Sequence, residues 1–349
     1  MGILPLHRRS RTHTQTHARK SSIESASSIL LESGYALCSS AILGYRARMA
    51  GEFPKNLIEF MRRFADTEAC TAYLMELRWP DGFVCPQCGG RKGWPTGRGT
   101  TFCVQCQRQT SLTAGTILHQ SYLPVSRWFL AMWLACTQKT GLSAAGLRRE
   151  LGLGSYRTAW LMLQKLRQAM VRLQREPLQG TVQVDETYVG GEETDAGVRG
   201  RQLTGKALVV IALELEGKKI GRIRLRRIPK ASAEHLLGFI RDMADPRATV
   251  HTDGWPGYTG LADAGFRHRV TLAGGKNGQA IEAFPQVHLV ASLLKRWLLG
   301  THHGKVSPKH LQRYLDEFAF RFNRRRSANA GKIFHRLAEQ LVLRRAQPY

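Results

Sequence analysis

Residues 181–189 read TVQVDETYV, and two further runs keep the same rhythm: ALVVIALEL at 207–215 and GRIRLRRI at 221–228. Apolar and β-branched residues in this pattern predict three strands joined by short turns. The stretch SAEHLLGFIRDMA (232–244) then predicts a helix, ATVHTD (248–253) a fourth strand, and FRHRVTL (266–272) a fifth. Three antiparallel strands, a helix and a further strand is the order of an RNase H-like fold, in which strands one and four are neighbours. That order brings Asp185 and Asp253 to one edge of a mixed five-stranded sheet. Two converging carboxylates repel unless cations lie between them, and Mg²⁺ or Mn²⁺ there would activate water for phosphodiester chemistry. The alternative is that both are turn residues, since Asp favours strand ends. Glu186, the next residue, should point to the other side of the strand.

Working outward, the 349-residue chain has 52 Lys and Arg against 26 Asp and Glu, a formal charge of +26. A field of that sign attracts polyanions, so DNA or RNA is the expected partner; a ribosomal or anionic-membrane surface is also compatible with charge alone. No apolar run approaches the roughly 20 residues that cross a bilayer. A soluble protein without a membrane partner is expected. Residues 1–48, with HRRSRTHTQTHARKSS near the start, have no apolar period, and predict a disordered basic tail or a misassigned start ahead of Met49. From Met49 the positions Leu57, Phe60, Phe64, Cys70, Tyr73, Leu74 and Leu77 recur at helical spacing.

Cys85-Pro-Gln-Cys88 and Cys103-Val-Gln-Cys106 form two C-x-x-C knuckles. Their separation suits four thiolates closing on Zn²⁺, with Gly89 and Gly90 allowing the tight turn and Thr101, Phe102 and Val104 forming a β-arm. Two disulfides are the alternative, set against an odd total of seven cysteines. A four-thiolate site leaves no open position, so the zinc is structural and distinct from the catalytic metal. Cys38, Cys70 and Cys136 are expected to be buried. Beyond the ribbon, SYLPVSRWFLAMWLACTQKTG predicts a buried helix. Ser143 then caps a short helix, Gly152-Leu-Gly154 turns, and Ser155 caps a second helix. In a helix-turn-helix, Arg157 and Thr158 would meet base edges while Trp160, Leu161, Leu163 and Leu166 face the core; an ordinary helical hairpin is the alternative.

Several separate blocks carry a resemblance: FPKNLIEF, RWPDGFVCPQCGG, LGLGSYRTAWLMLQKLRQAM, VQVDETYVGG, HTDGWPGY and LLKRWLLGTHHGKVSPKHLQRYLDEFAFRFNRR. Together they resemble bacterial insertion-sequence transposases of the ISXO-like group, from Met49 to about Arg326. The resemblance implies an α+β multidomain chain: N-terminal helix and zinc ribbon over 49–120, helix-turn-helix segment over 121–178, RNase H-like catalytic domain over 179–326, and a basic C-terminal tail over 327–349. It implies an enzyme of the DDE type that binds terminal inverted repeats, hydrolyses the 3′ strands at the element's ends and joins them to target DNA. It further implies a homodimer or higher assembly on DNA, at work in the cytoplasm and associated with the nucleoid. Asp185 and Asp253 become the first two of three catalytic ligands.

The third ligand departs from the family pattern. An Asn or Glu is expected shortly before Leu-Lys, and Leu293 stands there in His288-Leu-Val-Ala-Ser-Leu293-Leu294-Lys295. Glu282, His288 or Ser292 is then the substitute, or the protein is a catalytically impaired DNA-binding relative. Glu282 is chemically the best of the three, because carboxylate oxygen suits Mg²⁺ better than imidazole or hydroxyl. Lys295 follows the third position and is placed to contact a phosphate. Further on, Lys305, Lys309, Arg313, Arg321, Arg324, Arg325 and Arg326 accompany His302, His303 and His310, and the pattern predicts a basic DNA-facing side. Asp316 and Glu317 are expected to pair with nearby arginines.

Overall fold

The computed structural model describes residues 53–96, 99–190, 206–272, 284–304 and 306–345. The chain divides into two units, Met1–Glu52 and Phe53–Tyr349, and every described residue lies in the second. The expected tail at 1–48, with Cys38, lies outside the described residues, as do Glu282 and Lys305.

The helical stretch after Met49 is two helices. Helix α1 spans Leu57–Arg63 and α2 spans Thr67–Arg78; each starts where a side chain, Asn56 or Asp66, accepts from a backbone amide three residues on. Those caps break the single period that the apolar spacing suggests. Three short antiparallel strands follow, β1 Gly93–Pro95, β2 Thr100–Cys103 and β3 Gln109–Ser111. Arg78 ties the last of them to α2 by donating to the carbonyls of Ser111, Leu112 and Ala114.

Helices α3 (Val125–Thr137), α4 (Ala144–Glu150) and α5 (Tyr156–Ala169) come next. The Ser143 side chain caps α4 as expected, at 3.0 Å from the Gly146 amide, and Gly152 turns at φ 58°, a left-handed conformation that suits glycine. Ser155 occupies the cap position of α5 without a capping hydrogen bond from its side chain. From Met162 to Met170 only Lys165 on α5 and its cap is not buried, whereas Trp160 and Leu161 are half-buried. Trp160, expected to face the core, meets His310 edge-on at 5.0 Å.

The sheet runs in the order β6-β5-β4-β7-β8. Its strands are β4 Thr181–Val189, β5 Ala207–Glu216, β6 Lys219–Ile228, β7 Thr249–Thr252 and β8 Arg267–Val270. Strands β4, β5 and β6 are antiparallel, while β7 lies parallel to β4 and β8 parallel to β7. This is the RNase H-like arrangement. The link from β4 to β5 is longer than a turn, with 191–205 outside the described residues. Alternation along β4 sorts the core in two. Val182 and Val184 face helix α6 (Ala233–Met243) together with Leu236, Phe239 and Tyr258. The opposite face, with Val209, Ile211 and Leu213, is covered by α7 (Pro285–His302) and α8 (Leu311–Phe322).

Residues 327–349 contain more than a basic tail. Helix α9 (Ala330–Leu343) buries Phe334, Leu337, Ala338 and Leu341. Phe334 joins an aromatic cluster with Phe60, Phe64, Phe129 and Trp133, so the C-terminal helix closes the N-terminal helical core. The basic residues Lys332 and Arg336 lie on its exposed side, which is why charge counting misses its apolar stripe. No helix among the described residues is long and apolar enough to cross a membrane.

Candidate active site and metal centre

In the ribbon, the ligand sulfurs of Cys85, Cys88, Cys103 and Cys106 all lie within 4.8 Å of one another. Cys85 is 3.7 Å from Cys106 and Cys88 is 3.6 Å from Cys103, and all four are free thiols. Burial opposes ionisation of Cys85, yet the amides of Cys88 and Gln87 and the adjacent thiols outweigh it and pull the thiol down to about 6. Cys88 shifts the opposite way, so it is the convergence of four sulfurs that fits a structural Zn²⁺ and leaves no substrate position. Beyond them, Cys70 is buried, as expected, and Cys136 half-buried.

The carboxylate site is built by strand register. Gln183 pairs with His251 across the parallel β4–β7 ladder, so Asp185 and Asp253 each lie two residues further along and share one face of the sheet. Asp185 is not at a strand end: β4 continues to Val189, and what stops beyond Gln183 is the pairing with β7. One oxygen of each aspartate is tied to the chain that follows it. Asp185 Oδ1 accepts from the Glu186 amide at 2.7 Å, and Asp253 Oδ1 accepts from the Trp255 amide at 3.1 Å.

The third component comes from α7. Phe284, at its start, packs against His251 of β7 with ring centroids 4.8 Å apart. Pro285 opens the helix, and Val287, Val290, Ala291 and Leu294 bury one side of it against the sheet. One turn in, His288 Nε2 stands 4.0 Å from Asp185 Oδ2, with both side chains partly exposed. Leu293 is half-buried and packs against the α7–α8 core, so a polar ligand at that position would face apolar side chains. Ser292 is exposed one turn beyond His288, and exposed Lys295 follows seven positions after it, returning to the same side of the helix.

Two residues that sequence reasoning set aside or passed over complete the surroundings. Glu186 faces the other side of β4, as its alternation requires, and its Oε1 accepts from the Tyr258 hydroxyl at 3.0 Å. Burial raises the Tyr258 pKa well above the ordinary tyrosine value, and the charges of Glu186, Asp185 and Asp253 add to that. Tyr258 therefore stays a neutral donor beside three carboxylates. The signal available in sequence was its place five residues after Asp253, in the short helix Pro256–Leu261.

The expected basic surface divides. Arg157 is exposed and Thr158 half-buried in the first turn of α5, and Lys309 is exposed with Arg313 half-buried beside α8. Arg321, by contrast, donates to the carbonyls of Ala135, Gln138 and Lys139, capping the end of α3. Arg324 donates to Phe320 O and lies 3.9 Å over the Phe320 ring. Arg325 donates to the carbonyls of Ile220, Gly221 and Phe322. These three were expected to face DNA; the structure directs their donors to helix-end and loop carbonyls. Asp316 and Glu317 do pair with arginines, but with Arg175 at 3.3 Å and Arg167 at 2.7 Å, far away in sequence.

The chain is similar to several known proteins. A protein in the transposable element ISH50 of Halobacterium salinarum, itself uncharacterized, is 28% identical over 279 residues, covering 75% of this chain and 92% of that one. The catalytic core domain of BIV integrase is similar at TM-score 0.26 and 17% identity, over 40% of this chain and 81% of that chain. A chain of a pre-cleavage Mos1 transpososome is similar at TM-score 0.23 and 11% identity, over 63% and 79%. Residues 65–109 match the transposase zinc-ribbon domain and residues 177–323 the ISXO2-like transposase domain. The chain thus carries a match to a transposase zinc-ribbon domain followed by a match to an ISXO2-like transposase domain.

Proposed function

We propose that this protein is an active DNA transposase that binds the terminal inverted repeats of an insertion sequence, cleaves the element's ends and joins them to target DNA. The observation that carries this reading is His288 at 4.0 Å from Asp185, on the sheet face shared with Asp253. The donor types suit a divalent cation, although the three do not converge as closely as the four cysteines do: two carboxylates suit Mg²⁺ and Mn²⁺, and an imidazole 4.0 Å from Asp185 favours Mn²⁺. Asp185, Asp253 and His288 would hold the metal, which when bound supplies a more acidic water and stabilises charge on the leaving oxygen. Glu282, whose carboxylate is chemically the best of the substitutes, remains a proposed alternative to His288 as the third ligand.

The chain's own groups do the rest. Backbone amides fix one oxygen of each aspartate, which limits their rotation before any ligand arrives. Tyr258 holds Glu186 on the far side of β4 and keeps it from competing with Asp185. Lys295 is our candidate for a phosphate contact next to the site. Arg157, Thr158, Lys309 and Arg313 are the candidate DNA contacts, joined by Lys305. The domain limits 49–120, 121–178 and 179–326 are retained as proposed working units, and assembly as a homodimer or larger on DNA, in the cytoplasm, belongs to the same proposal. The alternative, an impaired DNA-binding relative, draws its support from Leu293, which is half-buried against the α7–α8 core.

The test is incubation of the purified full chain with a labelled inverted-repeat duplex and Mg²⁺ or Mn²⁺. Metal-dependent nicking at the element end that is lost in His288→Ala supports the reading. Tight binding with no cleavage under either metal would favour the impaired alternative.

A further inference from the structure

A second polar cavity lies away from the carboxylate site. It encloses about 260 Å³ where the end of α5 and its following loop meet edge strand β6 and helices α8 and α9. Six arginines line it, Arg172, Arg175, Arg222, Arg224, Arg324 and Arg336, against two carboxylates, Glu176 and Asp316. Those acids are engaged: Asp316 with Arg175 at 3.3 Å, and Glu176 with Arg222 at 2.9 Å. Arg222 also pairs with Glu214 at 2.6 Å.

The deeper arginines meet neutral acceptors. Arg224 is buried and donates to the carbonyls of Ile223 and Glu176, and Arg324 donates to Phe320 O. Burial lowers the Arg224 pKa to about 10, with Arg175 and Arg222 adding to the effect. Arg324 falls to about 10 as well, from burial and then the charges of Arg172, Arg336 and Arg224. So the guanidinium groups repel one another across a shared space. Like charges gathered in a partly desolvated cavity favour an anion there, and planar guanidinium forks match phosphate oxygens two at a time. At about 30 Å³ per water, the cavity has room for a phosphate or a pyrophosphate with some of its hydration.

We infer that this arginine cavity binds a phosphate group, which would clamp the helical segment to the edge of the catalytic sheet. The phosphate could be supplied by a DNA backbone or by a free phosphoanion, and the experiment separates the two sources. Full-length protein is treated with phenylglyoxal, which modifies accessible arginines, with and without inorganic pyrophosphate or duplex DNA at matched ionic strength. Modification at each arginine is then read by mass spectrometry.

Pyrophosphate is expected to protect Arg172 and Arg336 while exposed Arg241 on α6 stays reactive. Isothermal titration of pyrophosphate is then run on R172Q/R336Q and on the control K218Q/R241Q, which removes the same charge elsewhere. Lost charged hydrogen bonds should weaken binding about tenfold or more in the first and little in the second. If the duplex also protects the pair and binds R172Q/R336Q less tightly than the control variant, the source is the DNA backbone. If pyrophosphate alone does so, the source is a free anion. Equal modification of Arg172, Arg336 and Arg241 under both ligands, with equal affinities in the two double variants, would overturn the assignment. Because the footprint is read on unaltered protein, it stands even if R172Q/R336Q fails to fold.

Discussion

Replacing His288 and Leu293 separates their roles. His288→Ala should reduce metal-dependent cleavage by about 10²-fold or more, by loss of a positioned polar group. His288→Glu should restore activity and raise the ratio of Mg²⁺-supported to Mn²⁺-supported rates, because carboxylate oxygen suits Mg²⁺ where imidazole does not. Leu293→Asn should bring no gain and should lower stability by about 1–3 kcal/mol, since it sets an amide against the α7–α8 core. A rise in cleavage in Leu293→Asn would return the third position to residue 293. A different residue governs acid sensitivity. His302 lies edge-on to Trp297 at 4.9 Å and Tyr314 at 4.7 Å. Burial, then Arg167 and His303, depresses its pKa from 6.5 to about 3. The unfolded chain therefore takes up this proton first as pH falls, so the contribution is complete above the unfolded value and is lost below it. Stability should drop by on the order of 1–2 kcal/mol between pH 6.5 and 5, with a shallower slope in His302→Gln, measured by urea unfolding. Asp185 and Asp253 were legible because strand order alone sets their register. His288 was legible only as one of three candidates, because the phase of α7 depends on Phe284 meeting His251, a contact between segments that no local pattern encodes.

Elements show the same division between local and distant causes. The five strands and α6 could be read from alternation and from the apolar stripe, since each buries its face in the way its period dictates. Helix α9 carried a legible stripe too, at Phe334, Leu337, Ala338 and Leu341, but its basic residues and terminal position argued for a tail. Its partners lie almost the whole chain away, in α1, α2 and α3. Phe334→Ala should cost about 3–5 kcal/mol, seen as a fall in the denaturant midpoint with an unchanged slope. A loss below about 0.5 kcal/mol would mean the helix is peripheral. The ribbon should respond to a different treatment. Removing zinc with a chelator should release one Zn²⁺ per chain and unfold the Cys85–Cys106 segment, detected by thiol reactivity, while the sheet's far-UV dichroism persists.

Across the whole molecule, buried arginines join what sequence reading had separated. Arg167 of α5 and Glu317 of α8 are 1% and 2% exposed and 2.7 Å apart, so the helical segment and the catalytic fold share a charged core contact. Glu317→Ala should destabilise by about 3–5 kcal/mol, because Arg167 would be left charged and buried without a counter-ion. The surplus charge was legible from composition, but its division between solvent-exposed and carbonyl-capping arginines was not, since both uses call for the same residue. Arg157→Ala should weaken duplex binding and reduce its salt dependence by about one phosphate contact, whereas Arg321→Ala should mainly lower stability. The central claim is that Asp185, Asp253 and His288 form one metal-dependent site for cutting DNA. It is tested most directly by single-turnover cleavage of an inverted-repeat duplex in Mn²⁺, comparing the unaltered protein with Asp185→Ala. The account predicts full duplex binding with cleavage reduced at least about 10³-fold; cleavage undiminished in Asp185→Ala would contradict it.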